Sequence, residues 1–167
     1  NITWSEGKHN VTIYVNDSAG NLNYTSVSFT VDTTLPLVVI ATPTQNNTNS
    51  SNTGLDVNYT ATDTFTLIDS VWYANDTYSV ANKSLGSGGT FTNISNLTWN
   101  EGNHKVTIYA NDTNNNVNFT TISFTIDTIQ PTISIAFPTI NNSNGTNTLN
   151  VNFTASDSGS GLYTFWY

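Results

Sequence analysis

A repeat of about 95 residues runs through this chain and restricts its possible folds more than any other feature. NITWSEGKHNVTIYVNDSAGNLNYTSVSFTVDTTLP, from Asn1 to Pro36, realigns with NLTWNEGNHKVTIYANDTNNNVNFTTISFTIDTIQP, from Asn96 to Pro131, at a constant offset of 95. Trp4 thereby pairs with Trp99, Tyr14 with Tyr109, Asp17 with Asp112 and Asp32 with Asp127. LDVNYTATD from Leu55 pairs with LNVNFTASD from Leu149, and Trp72 with Trp166, at an offset of 94. One residue has dropped out of the loop between. A period this long exceeds that of a solenoid and suits a small β-sandwich of about 100 residues. DTTLP and DTIQP punctuate it, because proline favours an extended linker or a strand start. The expected organisation is the C-terminal part of one unit at 1–33, a complete unit at 34–128 and the N-terminal part of a third at 129–167. Such a chain reads as a window on a longer tandem array.

Each unit is expected to be all-β. Asn, Ser and Thr number 27, 17 and 30 of 167 residues, yet 37% are apolar and 12% aromatic, enough to bury a core. The apolar residues are mostly β-branched or aromatic. In the complete copy, Leu37–Ala41 reads as a short strand. Leu55–Thr62 alternates, with Val57, Tyr59 and Ala61 on one face. SVWYA forms a third strand, with weaker ones at Tyr78–Leu85 and Thr90–Leu97. Val106–Ala110 and Val117–Ile126 read as a hairpin across NDTNNN. The apolar phase of its second strand slips, from Val117 and Phe119 to Ile122, Phe124 and Ile126, which suggests a bulge near Thr120–Thr121. About seven short strands per repeat make an immunoglobulin-like sandwich.

Charge and motifs remove several functions. With net charge −8, three lysines and no arginine, the chain lacks the clustered cations that a phosphate backbone requires. No cysteine is present for disulfides, thiolate metal sites or thiol catalysis. No apolar run approaches the roughly 18 residues of a membrane span. No leader pattern occurs in this stretch, so any targeting segment is expected outside it. His9 and His104 are one residue of the repeat and read as structural, since one imidazole per unit makes a poor metal site. Glu6 and Glu101 are likewise one turn residue, and no facing pair of carboxylates or nucleophile motif stands out. No enzymatic activity is expected.

The strongest chemical signal is the N-x-S/T sequon. It occurs at Asn1, Asn10, Asn16, Asn23, Asn46, Asn49, Asn58, Asn75, Asn82, Asn93, Asn96, Asn111, Asn118, Asn141, Asn144 and Asn152. That is 16 sites, against about 8 expected by chance from this Asn, Ser and Thr content. Asparagine is disfavoured in strands, yet Asn23, Asn58, Asn118 and Asn152 fall mid-strand. N-linked glycans there would supply the solubility that so few charges cannot. Loop carboxylates Asp63, Asp69 and Asp157, with Asp17 and Asp112, are candidates for Ca²⁺ at joints between units. The plainer reading is that each caps its own turn. No other cofactor is expected. Trp72 and Tyr73 cannot both point inward, because neighbours on a strand face opposite ways. The outward one, with Tyr109 and Trp166, could contact a sugar or a neighbouring chain.

The combination L-T-W-x-E-G-x-H-x-V-T-I-Y-x-N-D, a short Asn-rich turn and F-T-x-D-T-x-x-P resembles the immunoglobulin-like tandem repeats of large prokaryotic, especially archaeal, cell-surface proteins. ASDSGSGL (Ala155–Leu162) resembles the loop between their second and third strands, from which DTFTLID (63–69) departs. The resemblance covers the whole chain and is specific for the repeat, not for its use. It implies an extracellular, cell-surface structural segment of a surface layer, stalk or filament. The alternatives are an adhesin or carbohydrate-binding module, or spacer units of a secreted hydrolase. The expected partners are copies of the chain or neighbouring repeats, and surface glycans. One route to a polymer is strand exchange, with the hairpin of 1–33 completing a sandwich like that begun by 129–167.

Overall fold

The computed structural model describes residues 1–51, 53–76, 83–139, 145 and 148–167. Its elements are strands: β1 (Gly7–Asn16), β2 (Leu22–Val31), β3 (Leu37–Thr42), β4 (Asn47–Asn49), β5 (Asn58–Thr62), β6 (Ile68–Asn75), β7 (Lys83–Ser87), β8 (Thr90–Phe91), β9 (Gly102–Asp112), β10 (Val117–Ile126), β11 (Thr132–Phe137) and β12 (Asn152–Ser156). No helix occurs among the described residues.

Strands β3 to β10 build one immunoglobulin-like sandwich. Its smaller sheet pairs β3 with β5 and is extended by a bridge from Val57 to Ile94. The larger sheet has the order β4-β10-β9-β6-β7-β8. Strand β4 lies within the Asn-rich loop after β3 and joins the edge parallel to β10. The loop's polar composition conceals it. The weaker strands shrink to β7, β8 and the Ile94 bridge, and residues 78–82 of the first lie outside the described ones.

Strict alternation builds the core. Val106, Ile108 and Ala110 of β9 meet Ile122, Phe124 and Ile126 of β10, and across the gap lie Val38, Val57 and Ile94. Tyr73 of β6 is buried at 3% exposure, so Trp72 faces outward. Trp99 fills the sandwich end: its ring meets Phe124 edge-on at 5.0 Å and His104 at 5.1 Å, and its Nε1 donates to the carbonyl of Leu55. The first hairpin repeats this trio as Trp4, His9 and Phe29.

The register corrects one expectation. β9 and β10 pair without interruption from Val117 opposite Asn111 to Ile126 opposite Gly102, so no bulge lies at Thr120–Thr121. Val117 and Phe119 are simply on the outer face. Phe119 packs there on Tyr109, whose ring stacks parallel to Trp72 at 5.5 Å. The slip in apolar phase marks an outer aromatic stripe, which β1–β2 repeats as Tyr14 against Tyr24. The hairpin turns also correspond. Gly20 and its counterpart Asn115 both have positive φ, a conformation open to glycine and tolerated by asparagine.

Tyr59 lies against the core and donates its hydroxyl to the carbonyl of Thr92. Burial pushes its pKa up to about 12. A raised folded pKa means that this stabilising contribution is present below the ordinary value of 10.0 and is lost as pH rises toward 12. Alkaline titration of tyrosinate absorbance should show a late-ionising tyrosine that is missing in Tyr59→Phe.

Candidate functional site

The loops at one end of the sandwich meet the end of the first hairpin, and this joint collects the chain's most unusual chemistry. Asp32 follows β2 and opens the sequence DTTLP. Its Oδ1 accepts from the amide of Thr34 at 3.0 Å, an Asx turn that aims the linker. Its Oδ2 reaches the sandwich and accepts from the Thr66 hydroxyl at 2.6 Å. Behind it, Glu6 accepts from both the amide and the hydroxyl of Thr33. Glu101 holds Thr128 in the same way one repeat later. The two glutamates are thus clamps on the linker threonine.

The sandwich also grips the linker from its own side. Asn116 donates through Nδ2 to the carbonyl of Asp32 at 3.1 Å and to Asp112 Oδ2 at 2.8 Å. Asn118 donates to the carbonyl of Pro36 at 2.8 Å, and Thr120 to that of Val38. Hairpin, linker and β10 are therefore joined by hydrogen bonds that a free tether would lack.

Three carboxylates converge there. Asp32, Asp63 and Asp112 each offer an oxygen, all within 4.8 Å of one another. Asp112 ends β9 in phase with its core residues and is 0% exposed; Asp32 is 7% exposed. Burial raises the pKa of Asp112, but bonds from the side chain and amide of Asn116 and from the amide of Asn114 outweigh it and hold the carboxyl below its ordinary value. Asp63 spends Oδ1 on the amides of Phe65 and Thr66. Its Oδ2 is buried with no hydrogen-bond partner.

The joint after β10 repeats this design. Asp127 Oδ1 accepts from the amide of Ile129, and its Oδ2 from Ser160, the counterpart of Thr66. The side chain and amide of Ser160 hold Asp127 below the ordinary carboxylate range. Asp157 Oδ2 takes the amides of Gly159 and Gly161, and its Oδ1 is again buried without a partner. Asp17 shows the turn role alone: the side chain and amide of Asn21 and the amides of Ala19 and Gly20 lower its pKa at an exposed tip.

These positions sort the sequence candidates. Asp63 and Asp157 sit at the two joints. Asp69 does not join them: it is exposed on β6, where its backbone carbonyl accepts from the amide of Gly88. Asp32 and Asp127, which in sequence only punctuate the linker at an offset of 95, supply a further carboxylate to each joint. His104 is buried, with Nδ1 2.7 Å from Asp76 Oδ2 and Nε2 2.7 Å from the Asn100 carbonyl.

Among the sequons, Asn1, Asn10, Asn16, Asn23, Asn46, Asn93, Asn96 and Asn152 are exposed. Asn75 is 7% exposed and has no room for a glycan in the folded sandwich, so it is withdrawn. Asn49, Asn58 and Asn111 are half-buried, and the Nδ2 of Asn118 is held by Pro36. Asn82, Asn141 and Asn144 lie outside the described residues. Of the aromatic candidates, Trp72 and Tyr109 form the outer stripe, Trp166 is 85% exposed, and Tyr73 is withdrawn to the core.

No family model and no curated protein matches the sequence. Among solved structures, the chain is similar to one described as fibronectin(III)-like modules of CbhA from Clostridium thermocellum, at 20% identity and a TM-score of 0.44. The match covers 74% of this chain and 64% of that one.

Proposed function

We propose that this chain is a non-enzymatic structural segment of an extracellular, N-glycosylated array of immunoglobulin-like units that forms a surface layer, stalk or filament. The observation that carries this reading is the built joint. Asp32, Glu6, Asn116 and Asn118 fasten hairpin and linker to the sandwich, and Asp127, Glu101 and Ser160 repeat part of that fastening. Recurrence at a fixed offset is what a load-bearing or lattice-forming element needs, whereas a unique binding site has no reason to recur. Polar uncharged surfaces, with glycans on exposed asparagines such as Asn23 and Asn152, would resist association and proteolysis. Neighbouring repeats or copies of the chain would be its partners.

A second reading, a carbohydrate-binding repeat, is favoured by the outer stripe of Trp72, Tyr109 and Phe119. Stacked rings on an outer face are a surface on which a sugar ring can pack.

Cryo-electron microscopy of the native material, with glycopeptide mass spectrometry, tests the proposal. A regular lattice or fibre with occupied sequons among the exposed asparagines is the expected result. Isolated flexible chains with bare asparagines would overturn it. Oligosaccharide binding that Trp72→Ala abolishes would favour the second reading.

A further inference from the structure

We infer that Asp32, Asp63 and Asp112 form a binding site for Ca²⁺ at the joint between the first hairpin and the sandwich. The site rests on these side chains alone; only its mechanical purpose depends on the structural reading above. Oxygens on opposite sides of Ca²⁺ stand about 4.6–5.2 Å apart, given Ca–O distances of about 2.3–2.6 Å. The three carboxylate oxygens lie within 4.8 Å of one another, inside that span.

Turn capping does not account for the cluster. It uses Asp63 Oδ1 and leaves Oδ2 buried and without a partner, a costly state for an oxygen that carries half a negative charge. The Thr66 hydroxyl has one hydrogen to offer and gives it to Asp32, while its oxygen also lies 3.5 Å from Asp63 Oδ1. One proton cannot serve every carboxylate around it, so the remaining contacts set lone pair against lone pair. The chain has no arginine, and among the described residues no lysine forms an ion pair with the cluster.

The second joint supplies an independent copy of the argument. At Asp157 the amides again take one oxygen and leave the other buried and orphaned, in the loop whose Ser160 bonds Asp127. The same unsatisfied oxygen thus recurs at equivalent positions, although the loops differ in sequence. Asp17 and Asp112 are the contrast: Asn21 and Asn116 bond their Oδ2, so that turn capping satisfies both oxygens there and not at Asp63 or Asp157. An all-oxygen, carboxylate-rich and irregular site suits Ca²⁺ better than Mg²⁺, which demands near-ideal octahedral geometry and keeps its waters.

Calorimetric titration of the chelator-stripped chain with CaCl₂ is the test, with amide NMR spectra recorded alongside. The expected result is saturable Ca²⁺ binding that shifts the amides of Phe65, Thr66 and Asn116 and raises the melting temperature. Asp63→Asn keeps an acceptor for the turn amides and should weaken binding by at least roughly tenfold, as should Asp32→Asn. Asp69→Asn and Asp17→Asn should bind as the parent does. Absence of binding up to about 10 mM Ca²⁺, well above the range of weak extracellular sites, would overturn the inference. So would full affinity in Asp63→Asn, NMR shifts confined to other residues, or an equal response to Mg²⁺.

Discussion

Replacing Trp99 by alanine is expected to cost the sandwich about 3–5 kcal/mol, a large part of what a unit of this size has. Trp99 is 2% exposed, packs against Phe124 and His104, and closes the end of the core beside the Thr53–Thr98 and Val57–Ile94 bridges. Its removal leaves a cavity and an unpaired carbonyl on Leu55. The repeat provides the control. Trp4 makes the same contacts with His9 and Phe29 but is 37% exposed, so Trp4→Ala should cost well under half as much. Chemical denaturation followed by tryptophan fluorescence and far-UV circular dichroism measures both. Equal losses would show that the recurring trio stabilises its own hairpin rather than the closed core.

The second expected result concerns the joint. Asn116→Ala should destabilise by about 1–3 kcal/mol, because it strips hydrogen bonds from the buried Asp112 carboxylate and from the Asp32 carbonyl. Its counterpart Asn21 makes the same bonds to Asp17 on an exposed tip, where substitution should change stability by no more than about 0.5 kcal/mol. Limited proteolysis separates the joint from the turn: cleavage near Thr33–Leu35 should accelerate in Asn116→Ala and not in Asn21→Ala. If both variants behave alike, Asn116 serves only its hairpin and the linker is not held from the sandwich side.

Much of this architecture was legible in the residues. Alternation placed Val57, Tyr59 and Ala61 on one face, and Val106, Ile108 and Ala110 on another, because side chains along a strand must alternate. The β9–β10 hairpin was marked by its turn, where Asp112 caps the amides of Asn114 and Asn116. The same logic misread Val117 and Phe119, since a run of apolar residues does not say which face is wet. An outer stripe of stacked rings shifts the apolar phase just as a bulge does. Strand β4 was hidden for a related reason: its Asn47–Asn49 backbone joins β10, and its side chains carry no apolar signal.

The repeat, the all-β content and the lack of cationic or thiol chemistry follow from the sequence by itself, because composition and periodicity are properties of the chain before it folds. Which of Trp72 and Tyr73 enters the core, and which loop carboxylates meet, were decided only by tertiary structure. Asp32, Asp63 and Asp112 are separated by 31 and 49 residues along the chain. They come together only where the end of one hairpin abuts two loops of the next sandwich. Asp69, as good a candidate in sequence, is carried away by the strand it occupies. Turn capping and cation ligation ask for the same residue type in the same kind of loop, and what separates them is whether a second oxygen is left buried with nothing to bind.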